Sequence, residues 1–351
     1  MMDEQHDIII IPAGDLVLPS GSAAPLAAAA AAANRAAAHH LFTEYRRRRA
    51  PNTTKRQDED LVLFTEYLRL AQIILDASPD LALNASPVQW AGLDWGIVQG
   101  FVEWMLQRGY ALTTINSRLS TIKVYAELAM KAGTVDADNY TRIKTVKGYQ
   151  DKELRRVDDK RTITRIGKKK ASTLLITPEQ AAALKQQPNT PQGRRDAVLM
   201  AMLIDHGLRC GELALLRVED IDMKRGLFRF LRPKVQKVQT HKLWPDARRA
   251  LAAYLSADAI MTGPLLIASR KGGQLTHQGM TERAITGRVA ELGRAIGIEG
   301  LSAHDLRHYW ATARARAGTP PDRLMDAGGW NSLDMPMRYI EAEKISNEGV
   351  R

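Results

Sequence analysis

The sequence predicts a mainly α-helical protein in two folded parts, the second carrying a small antiparallel β element. Apolar residues recur at helical spacing from about Arg56 to Lys147 and again from Leu174 onward. One stretch, Leu227 to Leu231, alternates bulky apolar with basic residues, as a half-buried strand does. Between the helical regions lies a basic segment with little apolar periodicity. At 351 residues, 45% of them hydrophobic, the chain can build two domains with separate cores.

Residues 1–55 read as a flexible N-terminal extension. They combine an acidic start, Pro/Gly/Ser punctuation, an Ala-rich tract at 27–38 with almost no bulky side chains to bury, and the run Arg46 to Arg49. The pentapeptide LFTEY occurs at 41–45 and again at 63–67, too short a match to establish a structural repeat. Residues 56–148 read as a helical bundle with three apolar stripes: Leu61, Phe64, Leu68 and Ile74; Ile97, Phe101, Trp104 and Met105; Ile115, Leu119, Ile122 and Leu128. Ser86-Pro87 and Gly109 mark breaks. In TTINSRLSTIK, Thr113 is an N-cap candidate, and Asn116, Ser117, Arg118, Ser120 and Lys123 occupy the faces left by the third stripe. Such side chains can reach a DNA backbone, but taken alone this stretch reads first as an ordinary solvated face.

Residues 149–173 read as a basic linker, since Thr141 to Lys170 holds twelve Lys or Arg against four Asp or Glu. An ordinary linker needs no such charge, whereas one lying along a duplex would neutralise phosphates; nuclear targeting or mere solubility is the bland alternative. Residues 174–351 form the second domain. Thr177-Pro178-Glu179-Gln180 has the pattern of a capping box with Pro at the first helical position. Arg194 to Ile204 continues as a helix, Gly207 breaks it, and Glu212 to Leu216 resumes it before the acidic turn at 219–222. Leu227 to Leu231 then takes Val238 to Trp244 as its hairpin partner. Helical spacing returns from Pro245 through Ile296 and runs on to the end, with Gly272-Gly273 as a turn.

A net charge of +11 and a pI near 9.7 favour polyanionic partners, nucleic acid first and an anionic membrane surface second. The apolar stretches at 8–13 and 23–33 fall short of the roughly 18 residues that cross a bilayer. Asp3, Glu4 and Asp7 replace the basic start of a signal segment, so a cytoplasmic protein is expected. The single Cys210 excludes an internal disulfide and leaves no Cys pair for structural zinc. No GxxxxGK[ST] loop and no HExxH helix occurs, so nothing suggests nucleotide hydrolysis or that zinc chemistry.

The densest candidate site runs from Leu301 to Tyr339. His304, Arg307 and His308 stand at i, i+3 and i+4, so on a helix they share one face and can converge on one small anion such as a phosphate. The histidine pair also has metal-ligand spacing, but no third ligand is evident and the arginine between them would repel a cation. Upstream, Arg209 follows Gly207, and Glu212 three residues on can hold its guanidinium fork, or form an ordinary surface salt bridge.

Together GLRCGELALLRVEDID at 207–222, the basic hairpin around Lys234, HDLRH at 304–308, GGW at 328–330 and Tyr339 resemble the tyrosine recombinase, or phage integrase, family in both order and spacing. TTINSRLSTIK resembles the family's core-binding domain, so the likeness spans about 56–345. It implies a core-binding DNA-binding domain at 56–148 and a catalytic domain at 174–351, together forming a clamp on the duplex. By this resemblance Tyr339 is the nucleophile, nine residues past Trp330, giving a 3′-phosphotyrosine and a free 5′-hydroxyl. Tyr309, inside HDLRHY, suits packing better. Arg209 and Arg307 clamp the non-bridging oxygens. His304 donates to the phosphate or helps deprotonate Tyr339, His308 supports it, and Trp330 positions. Lys234 is the general acid, with Lys237, eight residues before Pro245, as its rival and Lys242 as a further candidate.

The resemblance further implies site-specific cleavage and rejoining of double-stranded DNA without metal, cofactor or ATP. It implies a homo-tetramer on paired sites, room for accessory DNA-bending proteins, a nucleoid-associated location, and docking of Ile340 to Arg351 on a neighbouring protomer. Relaxation by a monomeric type IB topoisomerase and a non-catalytic DNA-binding module are the other readings.

Overall fold

A computed structural model describes residues 25–74, 82–166 and 173–343 of the chain. It divides into two compact units, Met1–Lys169 and Lys170–Arg351. The first holds helices α1 (Pro25–Arg47), α2 (Pro51–Leu70), α3 (Trp95–Gln107), α4 (Leu112–Lys131), α5 (Ala137–Thr145) and α6 (Asp151–Asp158). Their core is aromatic: Phe64 packs edge-on against Phe101 with ring centroids 4.9 Å apart, and Trp90 stacks on Tyr125 at 5.9 Å. The Trp90 indole donates to the Leu83 carbonyl at 2.8 Å, so its one polar atom is satisfied inside that core. The predicted stripes supply the buried residues, with Ile74, Ile97 and Trp104 partly buried at the edge.

Three sequence expectations are revised in this unit. The extension does not run unbroken to residue 55. In α1, Phe42 is 1% exposed, and Arg46 forks onto Asp58 at 2.6 and 3.0 Å while reaching the Tyr125 hydroxyl. One aromatic anchor and one ion pair dock a helix whose other side chains are mostly small. Both LFTEY copies are helical and place their phenylalanines, Phe42 and Phe64, in the same core. Residues 1–24 lie outside the described residues. The linker region also carries structure, because α6 packs Leu154 and Val157 against this core. Third, α4 begins at Leu112 with Ala111 as N-cap, so Thr113 is not the cap.

The polar face of α4 is largely committed within the unit. Asn116 donates to the Tyr149 carbonyl and accepts from the Tyr149 N–H at 2.7 and 2.8 Å, and Lys123 donates to the carbonyls of Lys144 and Val146. Arg118 lies over the Tyr110 ring and pairs with Asp60 at 3.5 Å. Ser120 stays exposed.

The second unit is built around α8 (Pro191–His206), buried on nearly every side from Val198 to Ile204. Helices α7 (Pro178–Lys185), α10 (Pro245–Ala257) and α12 (Ala303–Arg316) pack on it. Thr177 caps α7 with Gln180 closing the box, as the sequence indicates. A short α9 (Cys210–Ala214) leads into a three-stranded antiparallel sheet of β1 (Ile221–Asp222), β2 (Leu227–Arg232) and β3 (Lys237–Lys242). The predicted hairpin is β2 and β3, in a register that pairs Phe228 with His241 and Arg232 with Lys237.

Helical structure does not continue unbroken after Pro245. A second hairpin, β4 (Ile267–Ser269) and β5 (Leu275–Gly279), turns through Gly272 and Gly273 before α11 (Glu282–Ala295). Its strands are short and lack alternation, so only their pairing defines them. After α12 come α13 (Pro321–Gly328) and α14 (Asp334–Glu343), which with α12 enclose a small core of Trp310, Ala311, Leu324 and Tyr339. Tyr309 packs against the main core instead.

Candidate active site

Most of the candidate side chains are placed by the start or stop of an element. Gly207 takes a left-handed conformation at φ +62° and ends α8, so the chain turns and Arg209 becomes the N-cap of α9. Glu212, three residues on, accepts from the Arg209 backbone N–H at 2.9 Å and from its guanidinium at 2.7 Å. That carboxylate is only 2% exposed, so this is no surface salt bridge. Its second partner is Arg232 at the end of β2, wholly buried, whose Nη1 meets both Glu212 oxygens at 2.8 and 2.9 Å. Arg232 also donates from Nη2 to the Ala327 carbonyl at 2.6 Å and from Nε to Gln239.

At the start of α12, Ser302 and Asp305 cap each other, and Asp305 also accepts the Leu174 N–H at 2.9 Å. This fixes the turn that carries His304, Arg307 and His308. Arg307, 4% exposed, donates to the carbonyls of Gly207 at 2.6 Å and Gly328 at 2.5 Å. Its guanidinium lies 4.8 Å from the Trp330 ring centre. Burial, reinforced by the positive charge of Arg209, pushes the Arg307 pKa down to about 9, which leaves it a cation at neutral pH. Two guanidinium groups that repel each other across one pocket gain from any anion placed between them.

Tyr339 on α14 is 8% exposed, and its ring sits 5.8 Å from that of Trp330. Its hydroxyl lies 3.1 Å from Nδ1 of His308, and Nε2 of His308 lies 3.0 Å from Nε2 of His304. Burial raises the Tyr339 pKa while Arg307 and Arg338 pull it back, so the phenol is protonated at rest. Burial, with the neighbouring His304, lowers the His308 pKa and keeps that ring neutral.

Thus Arg209, His304, Arg307, Trp330 and Tyr339 converge. Lys234 lies exposed in the turn between β2 and β3, outside this cluster, and Lys237 donates to Asp326 at 2.6 Å. Arg232 was not singled out by sequence reasoning, although a signal was available. Alternation along β2 puts Phe228 and Phe230 inward, and the same parity turns Arg232 inward. Among the described residues no group of three His, Cys, Asp or Glu is placed to hold a metal ion. Among those residues no helix is long and apolar enough to cross a membrane. The arrangement gathers a phenolic hydroxyl, two guanidinium cations and a neutral imidazole in one place.

Comparison with known proteins fits this geometry. Residues 175–345 match the phage integrase family. Tyrosine recombinase XerC of Thermodesulfovibrio yellowstonii is 22% identical over 259 residues, covering 70% of this chain and 77% of the relative. XerC of Roseiflexus castenholzii is 25% identical over 268 residues, covering 74% and 77%. Among solved structures, the Tn1549 transposon integrase in complex with circular intermediate DNA superposes with a TM-score of 0.58 at 15% identity, covering 86% of this chain and 94% of that one. A lambda integrase dimer bound to a COC′ core site gives 0.56 at 13% identity, covering 89% and 99%. The structural likenesses show a shared fold, and the second unit, which holds the site, carries a phage integrase family domain over residues 175–345.

Proposed function

We propose that this protein is a site-specific DNA recombinase that cleaves and rejoins strands through a 3′-phosphotyrosine intermediate. The observation that carries this reading is the Tyr339 hydroxyl held 3.1 Å from a neutral imidazole, in the pocket where Arg209 and Arg307 present opposed positive charge. Arg209 and Arg307 take the non-bridging oxygens, whose charge grows in the transition state, so fixed cations there favour it over the ground state. Glu212 and Arg232 hold Arg209 in place. His304 faces the phosphate and Trp330 packs Arg307 against Tyr339. Lys234 protonates the departing 5′-oxygen, a role for which Lys237 is less available because its ammonium is engaged by Asp326.

The first unit, with residues 56–148 at its centre, grips the duplex, and residues 174–351 carry the chemistry. Double-stranded DNA is the substrate, and a homo-tetramer on two paired sites completes exchange, with DNA-bending proteins as accessory partners. The expected reaction needs neither metal nor ATP. Of the C-terminal segment proposed to dock on a neighbouring protomer, residues 344–351 lie outside the described residues.

A nicked suicide substrate, from which the 5′ fragment diffuses after cleavage, tests this directly. Wild type is expected to form a covalent protein–DNA adduct and Tyr339→Phe none. Arg209→Ala and Arg307→Ala should each slow adduct formation by roughly 100-fold or more. For Lys234, a 5′-bridging sulfur substrate, whose leaving group needs no proton, should restore cleavage to Lys234→Ala. Rescue of Lys237→Ala instead would exchange the two assignments.

A further inference from the structure

Proton movement away from the nucleophile is the part of this chemistry that the arginine clamp leaves unassigned. The side chain touching the Tyr339 hydroxyl is His308, through Nδ1 at 3.1 Å, and its other ring nitrogen meets His304 at 3.0 Å. A neutral imidazole carries one ring proton, so one of its nitrogens accepts while the other donates. The chain Tyr339, His308, His304 therefore has two self-consistent hydrogen-bond orders. In one, the phenol donates to Nδ1 and Nε2–H donates to His304. In the other, Nδ1–H donates to a phenolate and His304, now protonated on Nε2, donates to His308. They differ only by the shift of two protons along the line.

We infer that His308 is a catalytic residue that passes the Tyr339 proton to His304. The inference rests on the recombinase reading above. As the Tyr339 oxygen bonds to phosphorus and the bond from phosphorus to the 5′-oxygen breaks, the phenolic proton moves to Nδ1 of His308. The Nε2 proton of His308 moves to His304, and the 5′-oxygen takes its proton from Lys234. His304 becomes an imidazolium while the phosphate oxygens gain charge, so removal of the nucleophile's proton supplies a third cation to the site. Rejoining reverses the order: the 5′-hydroxyl attacks, the phenolate leaves, and the line returns a proton to it. Geometry supports the direction, because His308 is half-buried between the two groups and His304 is exposed at the end of the line. Its depressed basicity keeps the ring in the neutral form that can relay.

The test uses the full chain and the suicide substrate, with DNA binding measured in parallel. His308→Asn keeps a polar atom near the Nδ1 position but cannot relay, and His308→Ala removes both. Each is expected to form adduct roughly 100-fold more slowly than wild type at unchanged DNA affinity. The His304→Ala/His308→Ala pair should fall little below the slower single variant, because one line is cut either way. Placing a fluorinated, more acidic tyrosine at 339 should narrow the deficit of His308→Asn, which a packing role would not produce. Wild-type rates in His308→Asn, fully additive losses in the double variant, or a deficit indifferent to phenol acidity would each overturn the relay while leaving the tyrosine adduct intact. No adduct with wild type, or an adduct with Tyr339→Phe, would instead overturn the underlying reading.

Discussion

At the scale of single residues, the buried arginine of β2 binds the site together. Arg232 holds Glu212, which orients Arg209, and it holds the Ala327 carbonyl beside the Gly328 carbonyl that anchors Arg307. Arg232→Met leaves the Glu212 carboxylate with one partner in a dry setting, a change that typically costs roughly 3–5 kcal/mol. Urea unfolding should show a loss of that order, and cleavage should fall more than DNA binding. Arg232→Lys keeps the charge but cannot reach Glu212, Gln239 and Ala327 at once, so it should restore little. A pair of histidines on the same face of the sheet, around Phe228, sets the acid limit. Burial pushes His206 down to about 3, helped by the neighbouring His241, and His241 down to about 4, helped by the charge of Arg232. Both bind protons more readily unfolded, so their stability contribution is complete above the ordinary histidine range near 6.5 and is lost as pH falls through it toward 4. At about 1.4 kcal/mol per pH unit per proton, the pair should cost on the order of 2–4 kcal/mol between pH 7 and pH 5. His206→Phe, which can keep the edge contact with Phe228, should flatten that dependence in urea titrations at the two pH values.

Elements matter here mainly by where they stop. A Cβ on Gly207 would sit 2.4 Å from the Trp310 ring, and the conformation at φ +62° disfavours any other residue. Gly207→Ala should therefore destabilise by more than the roughly 1 kcal/mol of backbone strain alone, and it should displace the carbonyl that receives Arg307. Slower adduct formation together with a lower urea midpoint would show the coupling; loss of stability with full activity would break it. Ends of this kind were legible in the sequence, because Gly207, Thr177 and the HDLRH turn act through local backbone chemistry. The first hairpin was legible through its alternation. What the sequence did not disclose depended on distant partners. Strands β4 and β5 have too few residues for a period to register. Phe42 docks α1 only because Tyr125, more than eighty residues away in the chain, offers its ring 5.1 Å off. In the site, the arginines, histidines and Tyr339 could be named from spacing and resemblance, while the two contacts of His308 required coordinates.

For the molecule as a whole, the question is where its excess positive charge is spent. Much of the basic side-chain inventory is internally paired: Arg46 with Asp58, Arg194 with Asp258, Arg288 with Asp196. The charge between residues 149 and 166 is different in kind. Leu154 and Val157 pin one face of α6 to the first unit, Asn116 locks Tyr149 just before it, and Arg161 closes the segment on the Tyr110 carbonyl at 2.7 Å. The opposite side presents Lys152, Arg155 and Arg156 to solvent, and Lys160 follows, exposed, in the turn after the helix. A flexible tether would hold such charges at an entropic disadvantage for any surface they meet, whereas a docked helix holds them in one array. If that array neutralises DNA phosphates, each lost contact lowers the slope of log binding constant against log salt by about 0.9. Replacing all four with Gln, which keeps helix propensity nearly unchanged, should reduce the slope by roughly three to four without altering thermal unfolding. Fluorescence anisotropy of a labelled duplex across a salt series measures it. An unchanged slope would mean that these four cations serve solubility alone and that the duplex contacts lie elsewhere on the protein.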